Sequence, residues 1–485
     1  MSISSALSTA LTGLAASSRM AEVTASNVSN ALTEGYARRE VQLSARTLGG
    51  TGVGVAIKGI TRHVNHVLLQ DLRLSTSGQG ARDMTAGFLS RVEASVGTPD
   101  NPASLSARIA ALERSLQEAS ARPEVDARLA SVVDAARSLT LGLNDMARSL
   151  QSERQTADAA IASDVKRVND ALSGVAELNI QIRSFKSAGR DTSGLIDQRQ
   201  QLIDSIAAIV PVKEVAREHD QVALFTTGGA VLLEGRAAEL SFTPTGLITA
   251  DMTLASGALS GLSLNGQPVA TAPAGGRLGE GRLSALFDLR DRLAPAAQSD
   301  LDALARDLIA RFANPTTDPT LAPTAPGLFT DRGAVFDPAD EAGLAGRLQL
   351  NALVIPEQGG ALWKLRDGLG ATSPGPAAVS DRLTAYATAL SDRRPQISGT
   401  LAPGSRSLAE FASDILSSQS VKRLGAETSA AFAAARSDSL RSEMLRDGVD
   451  TDQELQNLLL IEQAYAANAK VIQTADDMLQ VLLGI

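Results

Sequence analysis

The sequence has 485 residues, a length that predicts two to four domains. Its 45 Lys and Arg against 54 Asp and Glu give a formal net charge of −9, which argues against nucleic acid as the main partner. The absence of cysteine excludes disulfides, thiolate metal sites and cysteine nucleophiles, and three histidines leave little for histidine-based catalysis. Hydrophobic residues make up 44 % of the chain and aromatic residues only 3 %, which is typical of helices packed through Ala, Leu, Val and Ile.

The N-terminus carries no strong targeting signal. No apolar run approaches the roughly 18 residues that a membrane helix needs, so we expect no membrane insertion. The first basic residue is Arg19 and no continuous apolar block precedes it, which is a poor match to a secretory signal peptide. A cytoplasmic protein, and a cysteine-free chain exported unfolded by a signal-less route, both fit this pattern.

Residues 1–30 have the period of an amphipathic helix. Four small or apolar residues recur every seven positions, and Leu11 lies four beyond the first of them; the four are Leu7, Leu14, Ala21 and Val28. A narrow stripe of this kind predicts a coiled-coil seam. The pattern ends at a turn over 30–36, and an extended, glycine-rich stretch follows over 41–60.

The strongest periodic signal lies between residues 125 and 182. The spacing alternates between four and three, with Arg154 and Asn179 as the polar exceptions, at Val125, Leu129, Val132, Ala136, Leu139, Leu143, Met146, Leu150, Arg154, Ala157, Ile161, Val165, Val168, Leu172, Val175, Asn179 and Ile182. This predicts one helical rod of about 85 Å. Sustained heptads require a partner, either a second copy or helices elsewhere in this chain. A shorter helix is expected around 105–116 and another around 195–209.

Beyond Val210 the period changes from helical to alternating. Residues 210 to about 285 are expected to form a small β-domain, with Asn265-Gly266 as a hairpin turn. A helical pattern returns over 286–312, and residues 314–338 have the composition of a loop.

The last 80 residues are again helical in pattern. Ser407 with Glu410, and Thr451 with Glu454, are capping-box patterns that predict two helix starts. The final helix repeats every seven residues at Leu458, Tyr465, Ile472 and Leu479. Asn468 occupies a polar position within the seam, and such a residue commonly fixes register at some cost in stability. Because both ends form seams, we expect them to lie side by side.

The predicted fold is therefore mainly α with an inserted β-domain. We expect a terminal coiled-coil domain from 1–60 and 445–485. A helical rod domain would comprise 61–209 and about 340–444. Residues 210–339 would form a β-rich outer domain with a trailing helix and loop.

Both ends resemble the bacterial flagellar rod, hook and hook-associated proteins. The N-terminal segments that carry the resemblance are SALSTALTGL at 5–14, SNVSN at 26–30 and TEGY at 33–36, and the C-terminal ones are GVD at 448–450 and QAYAANAKVIQTADDML at 463–479. Three further segments, YARR at 36–39, GVGV at 52–55 leading to ITR at 60–62, and LIDQR at 195–199, narrow the resemblance to the family of hook-associated protein 1. Two matching ends in the right order are specific evidence.

The resemblance implies a structural axial protein that forms the junction between hook and filament. The terminal helices would line the export channel, the rod would form the next layer, and the β-domain would face outward. The implied partners are the flagellar hook protein, the second hook–filament junction protein, further copies in a ring, and a cytoplasmic export chaperone at the C-terminal helix. The chain would be exported by the flagellar type III apparatus without cleavage and would be extracellular.

Seam positions and motif residues together define a candidate assembly interface. It comprises Leu7, Leu11, Leu14, Asn27, Asn30, Gly35, Tyr36, Leu458, Tyr465, Asn468, Ile472 and Leu479.

Candidate chemistry is sparse. His63 and His66 could share a helical face as metal ligands, but no third ligand is suitably spaced, so a solvated pair is favoured. Arg154 could belong to a ligand site, although an ion-paired or snorkelling seam residue is favoured. We expect no catalytic residue, cofactor or metal.

Three alternative functions stay open at this point. Another axial flagellar protein, such as hook or distal rod, fits the two ends, but the rod at 125–182 counts against it. A cell-wall hydrolase on a flagellar scaffold would need a carboxylate or histidine site that the sequence does not show. A coiled-coil chemoreceptor would need membrane spans.

Overall fold

The structure, a computed structural model, describes residues 3–33, 35–48, 51–273 and 275–484. Glu34 of the N-terminal motif therefore lies outside the described residues. The helices are α1 (Ile3–Ser29), α2 (His66–Val96), α3 (Leu105–Ala121), α4 (Asp126–Ser187), α5 (Ser193–Ala207), α6 (Arg282–Asp288), α7 (Ala294–Phe312), α8 (Leu344–Arg347), α9 (Trp363–Asp367), α10 (Asp381–Ser391), α11 (Leu408–Arg446) and α12 (Thr451–Leu483).

The strands form small antiparallel sheets. They are β1 (Arg39–Leu48), β2 (Thr51–Arg62), β3 (Val212–Ala216), β4 (Val222–Thr226), β5 (Val231–Glu234), β6 (Arg236–Ala237), β7 (Leu240–Ser241), β8 (Leu262–Leu264), β9 (Gln267–Val269), β10 (Phe329–Asp331), β11 (Leu348–Leu350), β12 (Arg394–Pro395) and β13 (Ser405–Arg406). One sheet has the order β3-β4-β5-β6 and another β7-β8-β9. The mainly α architecture with an inserted β-region agrees with the prediction.

Helix α4 is the long rod that the sequence predicts. It has 62 residues, about 93 Å at 1.5 Å per residue. Every predicted seam position from Leu129 to Ile182 is buried, including Arg154 and Asn179. Its partners lie within this chain, because α3, α5, α7 and several strands pack along it.

The β-region shares one continuous hydrophobic core with the helices. Leu224, Leu232 and Leu233 are buried in the same cluster that runs from Phe88 to Ile415. The Asn265-Gly266 turn connects β8 and β9, with both residues at positive φ as a two-residue hairpin of this type requires. The trailing helix differs from the expected division into domains, since α7 contacts α4 and α11 and thereby joins the helical body.

The 31-residue helix α2 is missing from the predicted elements. It pairs with α11 along much of its length. The middle of α2 is rich in small residues, among them Ser75, Ser77, Gly78 and Gly80. The helix therefore lacks a strong apolar period that would predict it. We call the α2–α11 pair the neck, because it connects the helical body to the chain termini.

Helices α1 and α12 lie side by side, as predicted, and the β1–β2 ribbon packs against α1. We call α1, α12 and this ribbon the terminal arm. The start of α11 has the predicted capping box of Ser407 and Glu410. The second predicted capping box is wrong. The N-cap of α12 is Asp450, whose side chain accepts from two backbone N–H groups, and Glu454 is held elsewhere.

Candidate assembly site in the terminal arm

The buried face of the terminal arm is built from small residues. Ala10, Ser17 and Thr24 are buried on α1 at intervals of seven. Opposite them, Asn468 of α12 lies against Gly13, where an added Cβ would come within 2.7 Å of the Asn468 Oδ1. Small side chains allow the two helices to approach closely, and this decides which residues form the seam.

The large predicted seam residues lie at the margin of this contact rather than within it. Leu7, Leu14, Leu458 and Ile472 are half-buried, and three are exposed, namely Leu11, Tyr465 and Leu479. The prediction that these residues form the seam between the two ends is corrected here. Close approach of the small residues leaves the large ones along the edges, where they are free to contact another molecule.

Helix α12 exposes many large apolar residues, two of which, Val471 and Met478, line a pocket shared with Ile3 and Ala6 of α1. Its exposed large hydrophobic residues, besides Tyr465 and Leu479, are Leu455, Leu459, Leu460, Val471, Met478 and Val481. Isolated exposed leucines are ordinary, but this many on one helix makes α12 a candidate interaction surface.

The predicted motif residues of the N-terminus meet at the base of the arm. Asn27, which is buried, accepts at Oδ1 from the Tyr36 hydroxyl at 2.8 Å and from the Arg39 backbone N–H at 3.0 Å. Its Nδ2 donates to the Arg39 carbonyl at 2.8 Å and to Glu454 Oε2 at 3.1 Å. One amide therefore connects the end of α1, the start of β1 and the start of α12.

Arg38 and Arg39 extend this hydrogen-bonded cluster around Asn27, which we call the joint, in opposite directions. Arg38 Nε donates to Glu454 Oε1 at 2.6 Å, which ties it to α12. Arg39 forms an ion pair with Asp197 on α5, and Arg62 at the end of β2 pairs with the other oxygen of the same carboxylate. Because successive residues of an extended strand point to opposite sides, this dipeptide links the arm to the helical body.

Asn30 and Gly35 shape the turn that precedes β1. Asn30 Nδ2 donates to the Ser26 carbonyl at 2.9 Å and closes the end of α1. Gly35 has a φ of +79°, and an added Cβ would lie 2.9 Å from Cγ of Gln201 on α5. Both its backbone conformation and its close neighbour favour glycine at this position.

Arg73 anchors the base of the neck, and sequence reasoning missed it. It is buried on α2 and bonds to Asp204 and Gln200 of α5 and to Glu214 of β3. The only signal available from sequence would have been an isolated arginine in a stretch of small residues, which predicts no partner.

The polar residues inside the body have structural roles. Arg154 donates to the carbonyl groups of Arg290, Thr249 and Met252, and its burial lowers the pKa of the guanidinium. Arg290 pairs with Asp158 at 2.6 Å, with both side chains fully buried. These contacts tie the loops of the β-region to α4. Arg154 is therefore a structural seam residue, but it is buried and bonded mainly to carbonyl groups, which corrects the expectation that it is snorkelling or ion-paired.

The remaining candidates do not form a reactive constellation. His63 precedes α2 and its Nε2 lies 2.8 Å from Glu40, whereas His66 is the first residue of that helix. Within the described residues, no group of three or more acidic or histidine side chains could hold a metal ion. In the same part of the chain, no helix combines the length and apolar character that crossing a membrane requires.

Comparison with known proteins agrees with this architecture. Residues 89–317 match the helical domain of flagellar hook-associated protein FlgK, and residues 445–485 match the C-terminal domain of flagellar basal body rod FlgEFG proteins. The longer of the two matches covers slightly less than half of the chain.

Individual relatives are similar over part of their length. Flagellar hook-associated protein 1 of Bacillus subtilis (strain 168) is 30 % identical over 240 residues, covering 47 % of each chain. Flagellar hook-associated protein 1 of Salmonella typhimurium is 26 % identical over 247 residues, covering 49 % of this chain and 44 % of its own. The chain thus spans about half the length of the curated relatives it matches.

Among solved structures, the flagellar hook junction protein FlgK from Burkholderia pseudomallei has a TM-score of 0.43 and 19 % identity. The match covers 54 % of this chain and 46 % of the Burkholderia pseudomallei chain. The chain is therefore similar to flagellar hook-associated proteins over its helical domain, to flagellar basal body rod proteins at its C-terminal segment, and to curated relatives named flagellar hook-associated protein 1 over about half of its length.

Proposed function

We propose that this chain is a structural, non-enzymatic protein of the bacterial flagellum that forms the junction between hook and filament. The main support is the terminal arm, in which α1 and α12 pair through small residues and leave large apolar residues of α12 exposed. An arm built in this way is complete only in an assembly, because a surface of this kind is stabilised by contact with further subunits.

The assembly surface would consist of the exposed side of α12 and the margin of α1. Full burial of a leucine side chain contributes about 1.5–3 kcal/mol, so the exposed residues of one arm can supply the main driving force. The predicted interface residues Leu11, Tyr465 and Leu479 are exposed and would belong to this surface. Copies would therefore associate into a ring through their arms.

Other axial proteins are the proposed neighbours. The hook protein would bind on one side of the ring and the second hook–filament junction protein on the other. Before export through the flagellar apparatus, a cytoplasmic chaperone would cover the C-terminal helix, which carries many exposed apolar residues. The assembled protein would then be extracellular.

A second candidate, a rod or hook protein, is favoured by one observation. The match at residues 445–485 is to the C-terminal domain of basal body rod proteins. The helical domain at 89–317, which contains the whole of α4, supports the hook-associated function instead. We therefore retain the junction protein as the main proposal.

Deletion of the gene in the source bacterium distinguishes the two. A junction protein predicts cells that build hooks without attached filaments, whereas a rod or hook protein predicts cells without hooks. Electron microscopy of sheared appendages, together with a motility assay, reads out the difference. Cells that keep normal filaments after the deletion would contradict both functions.

A matched pair of variants on α12 tests the assembly surface. Leu459, which is 59 % exposed, becomes charged in Leu459→Asp, whereas Gln456→Asp places the same charge at an exposed polar position one turn away. We expect Leu459→Asp to fold and yet fail to restore filaments, and Gln456→Asp to restore them. Equal restoration by both variants would refute the proposed surface.

A further inference from the structure

The chain passes between the terminal arm and the rest of the molecule through two short segments. Residues 63–65 connect β2 to α2, and residues 447–450 connect α11 to α12. The two segments lie side by side, because Asn65 Nδ2 donates to Asp447 Oδ2 at 3.2 Å. Both of these residues are exposed. We call the segments 63–65 and 447–450 the connectors.

Regular helix stops at the edge of each connector. Asn65 caps α2, because its side chain accepts from the Leu68 backbone N–H at 3.1 Å. Asp450 caps α12 by accepting from the backbone N–H groups of Asp452 and Gln453 at 3.0 and 3.1 Å. Such caps satisfy the first N–H groups of a helix and fix the residue at which it begins. Bending between the arm and the neck is therefore concentrated in the connectors, and a few residues of this kind are enough to form a hinge.

The hydrophobic core does not extend across the connectors. Among the described residues, neither the core from Phe88 to Ile415 nor the partly buried residues packed on it include any residue of the terminal arm. On the other side of the connectors, Arg73 fixes α2 to the body through Asp204 and Glu214. The arm can therefore turn about the connectors without opening the core, while the neck stays in place.

One carboxylate holds the base of the β1–β2 ribbon on the helical body. Arg39 and Arg62 are directly opposite each other in the ladder of β1 and β2, and both pair with Asp197 of α5. The two arginine side chains are 17 % and 11 % exposed. Like charges directly opposite each other on a ribbon are destabilising, so Asp197 reduces this repulsion and ties the ribbon to α5. We call Asp197, Arg39 and Arg62 the latch.

The latch arginines are held less firmly than an arginine elsewhere in the chain. Arg39 and Arg62 each contact Asp197 through a terminal nitrogen, and their buried Nε atoms have no hydrogen-bond partner among the described residues. Arg91, by contrast, binds Glu153 through Nε and a terminal nitrogen, both at 2.7 Å. Two-point pairs of this kind are the stronger and more precisely oriented ones. The contacts of the latch are therefore suited to being released.

We propose that the terminal arm is hinged at the connectors and that the latch sets its angle to the helical body. With the latch closed, the arm rests on α5, where Gly35 also lies against Gln201. Release of both arginines frees the arm to turn as one unit, because Asn27 and Glu454 connect α1, β1 and α12 to one another. This device is a property of the single chain, and it does not depend on the proposed function.

Double electron–electron resonance tests the hinge, because the chain has no cysteine and spin labels can be attached at two chosen positions. The exposed pair Ser173→Cys on α4 and Gln463→Cys on α12 reports the distance from body to arm. The exposed pair Ser18→Cys on α1 and Asp477→Cys on α12 reports a distance within the arm. With the latch intact we expect a narrow distribution of the body-to-arm distance. Asp197→Asn should at least double its width and leave the distance within the arm unchanged.

Asp170→Asn is the matched control, because it also removes an ion-paired carboxylate from the body, in this case the partner of Lys166. It should leave both distance distributions unchanged. Replacement of both latch arginines, Arg39→Gln with Arg62→Gln, should broaden the body-to-arm distance as much as Asp197→Asn does. Adding Asp197→Asn to that double variant should then have no further effect, because all three residues act in one contact.

Three results would overturn the proposal. The body-to-arm distribution could stay unchanged in Asp197→Asn, or it could already be as broad with the latch intact as in that variant; either result refutes the latch. Broadening of the distance within the arm would show that Asp197 supports the fold of the arm rather than its angle, and would equally refute the proposal.

Discussion

Replacement of Glu454 tests whether the terminal arm depends on its polar joint. The Glu454 side chain is 2 % exposed and accepts from Arg38, whose side chain is 22 % exposed. Removal of one partner from a fully buried ion pair costs about 3–5 kcal/mol. Because Arg38 still reaches water, we expect Glu454→Ala to cost about 2–3 kcal/mol, the range for hydrogen bonds to charged groups with partial screening.

The loss should be confined to the arm. The main hydrophobic core runs from Phe88 to Ile415 and, among the described residues, includes none of α1 or α12. The buried apolar residues described on these two helices are only Ala10, Ala16, Val23 and Ala475, which bury little area. The arm therefore relies on its joint to a degree that α4 does not.

Amide hydrogen exchange measures the two regions in one experiment. A cost of about 2–3 kcal/mol corresponds to exchange about 30- to 150-fold faster in α1 and α12, with α4 unchanged. Glu454→Gln is the matched control of similar shape. It keeps an acceptor for Arg38 but turns an amide N–H₂ toward the Asn27 Nδ2, so an intermediate effect is expected. Unchanged exchange in the arm, or equal acceleration in α4, would refute this account.

Three further predictions concern single positions. Burial raises the pKa of Asp302 from 3.8 to about 6, so the folded state binds an extra proton between these values. The free energy of unfolding should therefore fall by about 2 kcal/mol as the pH rises from 4 to 6, and Asp302→Asn should remove this contribution. Leu172→Ala, in the fully buried seam of α4, should lower the free energy of unfolding by about 2–5 kcal/mol, whereas Ile180→Ala on the exposed side of the same helix should change it by about 0.5 kcal/mol or less; urea titration compares them. Gly13→Val should separate α1 from α12, because its side chain would occupy the place of Asn468, and faster hydrogen exchange limited to the arm would report it.

The sequence by itself determined the elements that have strong periodic signals. The seam of α4 is read correctly from Leu129 to Ile182, because large apolar residues at heptad spacing are buried whichever helices cover them. The hairpin at Asn265-Gly266 and the capping box at Ser407 were likewise predictable, since both depend on a few consecutive residues. Within the terminal arm, Asn468 lies against Gly13 and Asn27 is hydrogen-bonded to Tyr36, while the part of these residues in assembly stays a prediction.

Only the tertiary structure shows which helix–helix contacts are made by small residues. The sequence pattern favoured the leucines of α1 as its buried face, but close approach at Gly13 buried Ala10, Ser17 and Thr24 instead. Helix α2 was not predicted for a similar reason, because the buried residues in its middle, Ser75 and Ser77, are small and polar. Small side chains carry little hydrophobic signal, although they permit the closest contacts.

The partners of the long-range ion pairs could not be predicted from the sequence either. Asp197 pairs with Arg39 and Arg62, which lie more than 130 residues away in the chain, and Glu454 pairs with Arg38 across more than 400. No local pattern specifies such partners, because charged residues on a helix are equally compatible with solvent. Only the folded chain shows that the segments 36–39, 60–62 and 195–199 form one joint, since it is the packing of β1, β2 and α5 that brings their side chains together.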